Sequence, residues 1–332
     1  MGKLSFATIG TNFIVDRFLN AGKRCDDFGL SVIYSRTKEK ARQFGARSCF
    51  LEYRICDSLE DLSEDKEVDA VYVASPTALH CRQTIDMLNR RKHVLCEKPA
   101  ASNAHEWEQM CQAARQSGCI LLEATRPVFH PAYEVIRENL DKIGPIRKVF
   151  LQYCQYSSRY DNYKKGIIEN AFRPELSNGG LMDLGIYCIE VMVGLFGKPS
   201  SVSSKALLLP GSIDGQGTIL AEYPGMQAII SYSKISDSAM PCEIQGEKGA
   251  ILWQDVGCPK NVTLKLRGQN RTVIYNESPI PDMVYEIQEF LRLVRQNRNA
   301  EAYHAITAES LRITDEVRRQ NSIIFPADRK AD

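Results

Sequence analysis

The 332-residue chain lacks a charge imbalance: 42 lysines and arginines stand against 41 acids, a formal net charge of +1. No field of one sign therefore draws it to nucleic acid or to an anionic membrane, and neither is an expected partner. The N-terminus lacks a basic segment ahead of a long apolar stretch, and it lacks a small-residue cleavage site. Leu4–Ile9 falls well short of the ~20 apolar residues of a bilayer span. Phe6 stands where a myristoylation signal requires Ser or Thr. Eleven cysteines are present, but no two form a C-x-x-C pair and no tight His pair follows. Most sit in apolar runs, as in Val94-Leu95-Cys96 and Cys119-Ile120-Leu121, the pattern of buried free thiols in a reducing compartment. A cytoplasmic protein without a metal site is the expectation. Internal repeats and low-complexity tracts are also missing.

What is present is ordinary globular material, 44% hydrophobic and 25% charged. At roughly 150 residues per domain, the length suggests two domains. Strand-like runs at Leu4–Ile9, Leu30–Ser35, Asp69–Ala74, His93–Cys96 and Cys119–Glu123 alternate with amphipathic stretches of helical spacing. Parallel neighbours need crossover helices, so this rhythm predicts a doubly wound Rossmann sheet over residues 1–124. Ligands bind such sheets beyond the carboxyl ends of their strands. From residue 125 to 332 the rhythm changes. Helices are expected near Tyr133–Leu140, Leu181–Leu195, Met283–Arg295 and Ala305–Arg318. Between them lie strand-like segments joined by short turns such as Gly246-Glu247-Lys248-Gly249. The second domain reads as α+β with a large, mostly antiparallel sheet.

The first strand-to-helix turn is Ile9-Gly10-Thr11-Asn12-Phe13-Ile14-Val15. Of the three glycines in a dinucleotide fingerprint only Gly10 is kept. Asn12 replaces the second, and asparagine tolerates left-handed backbone better than most residues. A helix N-terminus here offers free N–H groups to a pyrophosphate. The second strand ends in Ser35-Arg36, with no carboxylate before Glu39. A ribose-binding acid is thus missing, and Arg36 suits a 2′-phosphate. NADP(H) is the expected cofactor, with NAD(H) the alternative. Ala74-Ser75-Pro76-Thr77, at the end of a strand, and His80, at the start of the next helix, complete the candidate cofactor edge.

Two further segments stand out: Glu97-Lys98-Pro99, and Gly179-Gly180-Leu181-Met182-Asp183-Leu184-Gly185-Ile186-Tyr187. In this order and spacing, running along nearly the whole chain, they resemble the glucose–fructose oxidoreductase/inositol dehydrogenase (Gfo/Idh/MocA) family. The likeness is greatest to its dimeric dihydrodiol dehydrogenase and NADP-dependent xylose dehydrogenase branch, through Leu122-Glu123-Ala124 and the closing Phe325-Pro326-Ala327-Asp328. The resemblance implies a nicotinamide-dependent oxidoreductase of a small polyol, sugar, dihydrodiol or carbonyl compound. It also implies a homodimer built on the C-terminal sheet, with the second domain holding substrate and partner. Glu97 is then expected at the nicotinamide ribose, and Lys98 in the chemistry.

Asp183 and Tyr187 are four residues apart, which on an α-helix places them on one face. Many relatives carry histidine where Tyr187 stands. An unperturbed phenol ionises near 10 and an imidazole near 6.5, so the exchange alters the proton chemistry. A lysine ammonium about 4 Å away would favour a phenolate by roughly 4 kcal/mol at an effective dielectric near 20, an upper figure because burial opposes it. Two schemes stay open: Tyr187 exchanges the substrate proton while Lys98 polarises the oxygen and Asp183 orients it, or Lys98 is itself the acid/base. Arg126 is expected to reach cofactor or substrate, or to form a structural ion pair. His130, before Pro131, is expected to be structural. A cofactor-sensing regulator without turnover and a redox-assisted glycosidase are the competing functions; the first predicts loss of Lys98 or its helix partners, and all are present. The substrate pocket is expected to draw on Arg159, Tyr160, Tyr163 and Phe172.

Overall fold

Short runs of valine, isoleucine and leucine form strands in the N-terminal part because both of their faces are covered. These are β1 (Leu4–Ile9), β2 (Phe28–Tyr34), β3 (Arg54–Cys56), β4 (Ala70–Val73), β5 (His93–Glu97) and β6 (Leu121–Ala124). They pair in parallel in the order β3-β2-β1-β4-β5-β6. Helices Phe13–Gly22, Lys38–Gly45, Leu59–Glu64, His80–Asn89 and Ala104–Ser117 make the crossovers. Strand order reverses between β1 and β4, so their carboxyl ends open the crevice typical of doubly wound sheets. The α/β fold read from the pattern is present. β3 escaped the reading because three residues are too few to show a period. The helix expected from Thr77 opens instead as a tight 3₁₀ turn over Thr77–Leu79.

The computed structural model describes residues 2–330 and divides into two units. One holds the chain up to Ala124 together with Ile280–Ala305; the other holds Thr125–Pro279 and the chain from Ile306 onward. The division therefore departs from an uninterrupted second domain over 125–332. The reason is packing. Helix Met283–Gln296 carries a buried stripe of Val284, Ile287, Phe290 and Leu291, and the Phe290 ring lies 5.7 Å from that of Phe6 in β1. Phe6, Phe18, Phe28 and Tyr72 extend this aromatic core, with Phe18 stacked on Tyr72 at 3.7 Å.

The second unit is built on β7 (Ile146–Cys154), β8 (Ser201–Leu209), β9 (Ile213–Tyr223), β10 (Met226–Ser233), β11 (Cys242–Gly246), β12 (Gly249–Gln254), β13 (Lys260–Leu266) and β14 (Thr272–Tyr275). Their order is β14-β13-β12-β11-β7-β10-β9-β8. All pairs are antiparallel except β7 with β10, which run parallel with Cys154 opposite Ser233. One face buries Val149, Leu151, Ile219, Ile230, Ile244 and Ile251 against the helix Ile186–Phe196 and residues Ile313 and Val317 of helix Glu301–Gln320. The segment Pro174–Phe196 is long and apolar enough to cross a membrane, but 78% of its apolar window is buried within the protein, which makes it a core element. The other sheet face carries a row of half-buried residues in register: Leu220, Ile229, Phe150, Glu243 and Leu252.

Candidate active site

Every strand of the parallel sheet ends on one edge, and the expected cofactor residues gather there. Gly10 follows β1 with φ +125, and a Cβ at that position would come within 2.7 Å of the Ala74 carbonyl oxygen at the end of β4. Only glycine lets the two chain segments of the switch point approach this closely. Asn12 corrects the sequence reading. Its backbone is extended (φ −93), not left-handed, and it serves as the N-cap of helix Phe13–Gly22. Its Oδ1 accepts from the N–H groups of Ile14 (3.1 Å) and Val15 (3.2 Å), and its Nδ2 donates to the Ala74 oxygen at 3.1 Å. One side chain thus caps the helix and staples β1 to β4. Phe13 and Arg36 are exposed, Thr11 and Ile14 are half-buried, and Ser35 is buried. Arg36 lies just past β2, on the same edge.

His80 is fully buried, and both of its ring nitrogens face carbonyl oxygens, Ser75 at 2.8 Å and Pro99 at 3.0 Å. Burial pushes its pKa down, with the Lys98 cation acting the same way and the carbonyl partners opposing. The ring ties the Ser75-Pro76-Thr77 turn to the loop after β5. Ser75 is also held through its hydroxyl, which donates to Gln83 at 2.6 Å. Glu97 is buried, not a surface acid: the Tyr72 hydroxyl donates to its Oε1, and Tyr72 is itself clamped beneath Phe18. Lys98 is half-buried and is joined to Pro99 by a cis peptide bond. The loop is closed by the Ala100 N–H, which donates to the buried Glu123 carboxylate at 2.7 Å. Tyr72 and Glu123 are the supports that sequence reasoning missed; each looks like an ordinary strand residue.

In the second unit Asp183 and Tyr187 share one continuous helical stretch, but its first part, Leu181–Gly185, is a π-helical turn. A π-turn is wider than an α-turn and recurs at functional sites. The four-residue spacing therefore does not carry the α-helical geometry expected of it. Tyr187 is buried, and its hydroxyl accepts from Arg126 Nη2 at 2.7 Å. The Arg126 guanidinium also lies 5.1 Å from the centre of the ring, with Tyr153 packed beside it at 5.4 Å. Arg126, expected to reach cofactor or substrate or to form a structural ion pair, is thus brought to the phenol.

The glycine pair of the motif has a physical reason. Gly179 has φ +155, and a Cβ there would overlap Oδ1 of Asp214. A Cβ on Gly180 would sit 3.1 Å from the Gly215 oxygen. The fully buried Asp214 fills this space, and its Oδ2 accepts the Leu181 N–H at 2.6 Å, fastening the start of the π-turn. Burial pushes the Asp214 pKa up, against the Leu181 bond and the Lys234 charge. Lys234, buried at the end of β10, pairs with Asp183 Oδ2 at 3.0 Å. Neither Asp214 nor Lys234 carries a periodic or motif signal. Of the residues expected to line a substrate pocket, Phe172 is core, with Tyr160 and Tyr163 packed over it. His130, expected to be structural, is buried and accepts the Ala132 N–H at the start of helix Pro131–Glu138. Among the described residues no group of three or more metal-ligating side chains gathers.

A glycine-shaped switch point, a capped helix N-terminus and a fixed lysine loop define the first unit as a dinucleotide-binding one. Comparison with known proteins makes the class specific. Residues 4–125 match the oxidoreductase family GFO/IDH/MocA, NAD-binding Rossmann fold, and residues 132–252 match the GFO/IDH/MocA C-terminal domain. The chain is 42% identical over 327 residues to scyllo-inositol 2-dehydrogenase (NADP(+)) of Bacillus subtilis, covering 98% of this chain and 99% of that one. It is 29% identical to trans-1,2-dihydrobenzene-1,2-diol dehydrogenase of Danio rerio, over 93% of this chain and 97% of that one. A 3-ketoreductase from Actinomadura kijaniata, solved with NADP and TDP-benzene, shares the fold with a TM-score of 0.84 at 21% identity, covering 96% and 98% of the two chains. The chain belongs to the GFO/IDH/MocA oxidoreductase family and is an oxidoreductase with a nicotinamide-dinucleotide-binding Rossmann domain.

Proposed function

We propose that the protein is an NADP-dependent cytoplasmic dehydrogenase that oxidises one CH–OH group of a small cyclitol or vicinal diol to the ketone, and reduces it in reverse. Its near end-to-end likeness to an NADP-dependent scyllo-inositol dehydrogenase carries this reading. The residues present fit the cofactor: the Gly10–Ala74 approach leaves a cradle that a side chain would fill, and the capped helix presents its N–H groups beside it. Bound there, NADP would supply the hydride acceptor for the substrate carbon. Arg36, beyond β2, would hold the 2′-phosphate, and Glu97, fixed by Tyr72, would meet the nicotinamide ribose. Lys98 polarises the substrate oxygen, Tyr187 as its phenolate takes the hydroxyl proton and then releases it to water, and Asp183 orients the substrate. The Arg126 guanidinium, donating to the phenol oxygen, keeps a permanent positive charge beside it through this transfer. Carbon thus loses a hydride and oxygen a proton, and the products are ketone, NADPH and H⁺. Two copies associate through the open sheet face bearing Leu220, Ile229, Phe150 and Leu252. The eleven cysteines are all free, which suits a reducing cytosol.

The test is a panel of scyllo-inositol, other cyclitols, aldoses and α-dicarbonyls, followed at the nicotinamide absorbance with NADP and with NAD. Turnover of scyllo-inositol with NADP preferred is expected. Equal or better use of NAD removes Arg36 from its role, and no turnover of any member overturns the function.

A further inference from the structure

A lysine ammonium is among the costliest groups to bury, and it stays charged in an interior only when paired and hydrogen-bonded. Two lysines of the described chain are buried, Lys92 and Lys234. Lys92 sits beneath main-chain oxygens, donating to the carbonyls of Asp65 and Val68, which is a cap for a turn. Lys234 is different. Its side chain is 2% exposed, and it reaches Oδ2 of Asp183 at 3.0 Å, while the Asp183 side chain remains 37% exposed. A buried cation therefore grips one side of a carboxylate that solvent still reaches.

The same ammonium donates to the Ala171 carbonyl at 2.7 Å and lies 4.8 Å from the centre of the Phe172 ring. The main chain of Lys234 repeats the pattern: its N–H donates to Gly215 at 2.8 Å and its carbonyl accepts from Ser157 at 2.9 Å. Lys234 thus joins four segments: the ends of β9 and β10, the connection that leaves β7, and the π-turn. Gly215 follows Asp214, whose carboxylate fastens that turn from the other side.

We propose that Lys234 is the positioning residue of the substrate site: it holds the Asp183 carboxylate aimed, so that Asp183 is an obligate acceptor for a second hydroxyl beside the carbon being oxidised. This rests on the reading of Asp183 as a substrate residue. An ionised carboxylate offers acceptors only, so a ligand must bring a donor to it. A site built to bond a hydroxyl rejects the analogue lacking it far more strongly than an apolar pocket rejects an extra group. The substrate class that follows is a vicinal diol rather than a simple alcohol. Ala171 and Phe172, on the same ammonium, keep the 155–179 connection in register with that carboxylate.

The test compares Lys234→Met, Asp183→Asn and the double variant in the full-length protein, with NADPH affinity measured by fluorescence titration and activity with scyllo-inositol, trans-1,2-cyclohexanediol and cyclohexanol. NADPH affinity within about twofold of the parent is expected for all three, with kcat/KM for scyllo-inositol lower by roughly 100-fold in Lys234→Met. The double variant is expected to be no worse than the poorer single, because both changes act through one carboxylate. The preference for diol over simple alcohol, at least about 100-fold in the parent, should fall below about tenfold in Lys234→Met. A merely structural lysine would instead lower the melting temperature, multiply its loss with that of Asp183→Asn, and leave the preference intact; that result overturns the proposal. If the parent oxidises no polyol, the function falls first. Amide hydrogen exchange then judges Lys234 by itself, because Lys234→Met must speed exchange in both 156–179 and 181–187, and unchanged exchange refutes the tie.

Discussion

Replacing Gly179 by alanine would put the new methyl group into the Asp214 carboxylate on a backbone at φ +155, a conformation that side chains rarely adopt. Asp214 has no room to withdraw, since it is buried and its other oxygen holds the Leu181 N–H at 2.6 Å. The backbone strain costs about 1–3 kcal/mol. Loss of a charge-assisted hydrogen bond from a buried acid adds about 1.5–3 kcal/mol. Together they reach roughly 3–5 kcal/mol, a large part of the ~5–15 kcal/mol that holds an ordinary domain together. For a unit of this size that corresponds to a loss of roughly 10 °C in melting temperature. Differential scanning calorimetry should show it in the second unit, while NADPH titration, which reports on the first, stays close to the parent. The π-turn that carries Asp183 loses its fastening, so kcat/KM should fall even below the melting range. Gly180→Ala is the control: its backbone is helical (φ −64) and the nearest atom is the Gly215 oxygen at 3.1 Å, so a milder loss is expected. A melting temperature within about 1 °C of the parent and unchanged kcat/KM for Gly179→Ala would refute the reasoning.

Lys98→Met and Tyr187→Phe should each lower kcat by about 100-fold or more while keeping NADPH affinity, as stopped-flow turnover and titration would show; unimpaired turnover removes that residue from the chemistry. The first unit should lose stability on acidification. Burial pushes His80, His93 and His304 below the usual imidazole range, so their folded-state pKa values are depressed. Below about pH 6.5 the unfolded chain binds protons that the folded unit refuses, at no more than about 1.4 kcal/mol per pH unit for each histidine. Chemical denaturation from pH 8 to 5 measures the slope, and a flat profile counts against neutral buried rings.

The parallel sheet was legible because burial on both faces writes continuous apolar runs, with helices of regular period between them. β3 was not, since Arg54-Ile55-Cys56 is one exposed residue and two half-buried ones. Gly10 was readable as the one fingerprint glycine that is kept, whereas its close approach to the Ala74 carbonyl was not. Asn12 was assigned the wrong conformation because the fingerprint suggests a missing glycine, whereas the structure uses its amide to cap and to staple. The helix Met283–Gln296 was visible, but its membership in the first unit depends on Phe6 and Phe290 meeting across nearly the whole chain. Asp183 and Tyr187 stand out through their motif. The π-turn beneath them depends on main-chain bonds that no side-chain period encodes. Lys234 and Asp214 were invisible for a related reason: each resembles a polar residue at a strand end until the fold closes over it.

Because β7 and β10 point the same way, the chain leaving one and the chain leaving the other emerge along a common rim of the sheet. A connection that starts and ends on one rim can be lengthened or rewritten cheaply, since doubling a flexible loop costs only about 0.6 kcal/mol in closure entropy. The stretch between Ser157 and Ala171 is thus free to change its contours while both of its ends stay bonded to Lys234. Exchanging that stretch alone would alter the surface it presents without touching the strands beneath it.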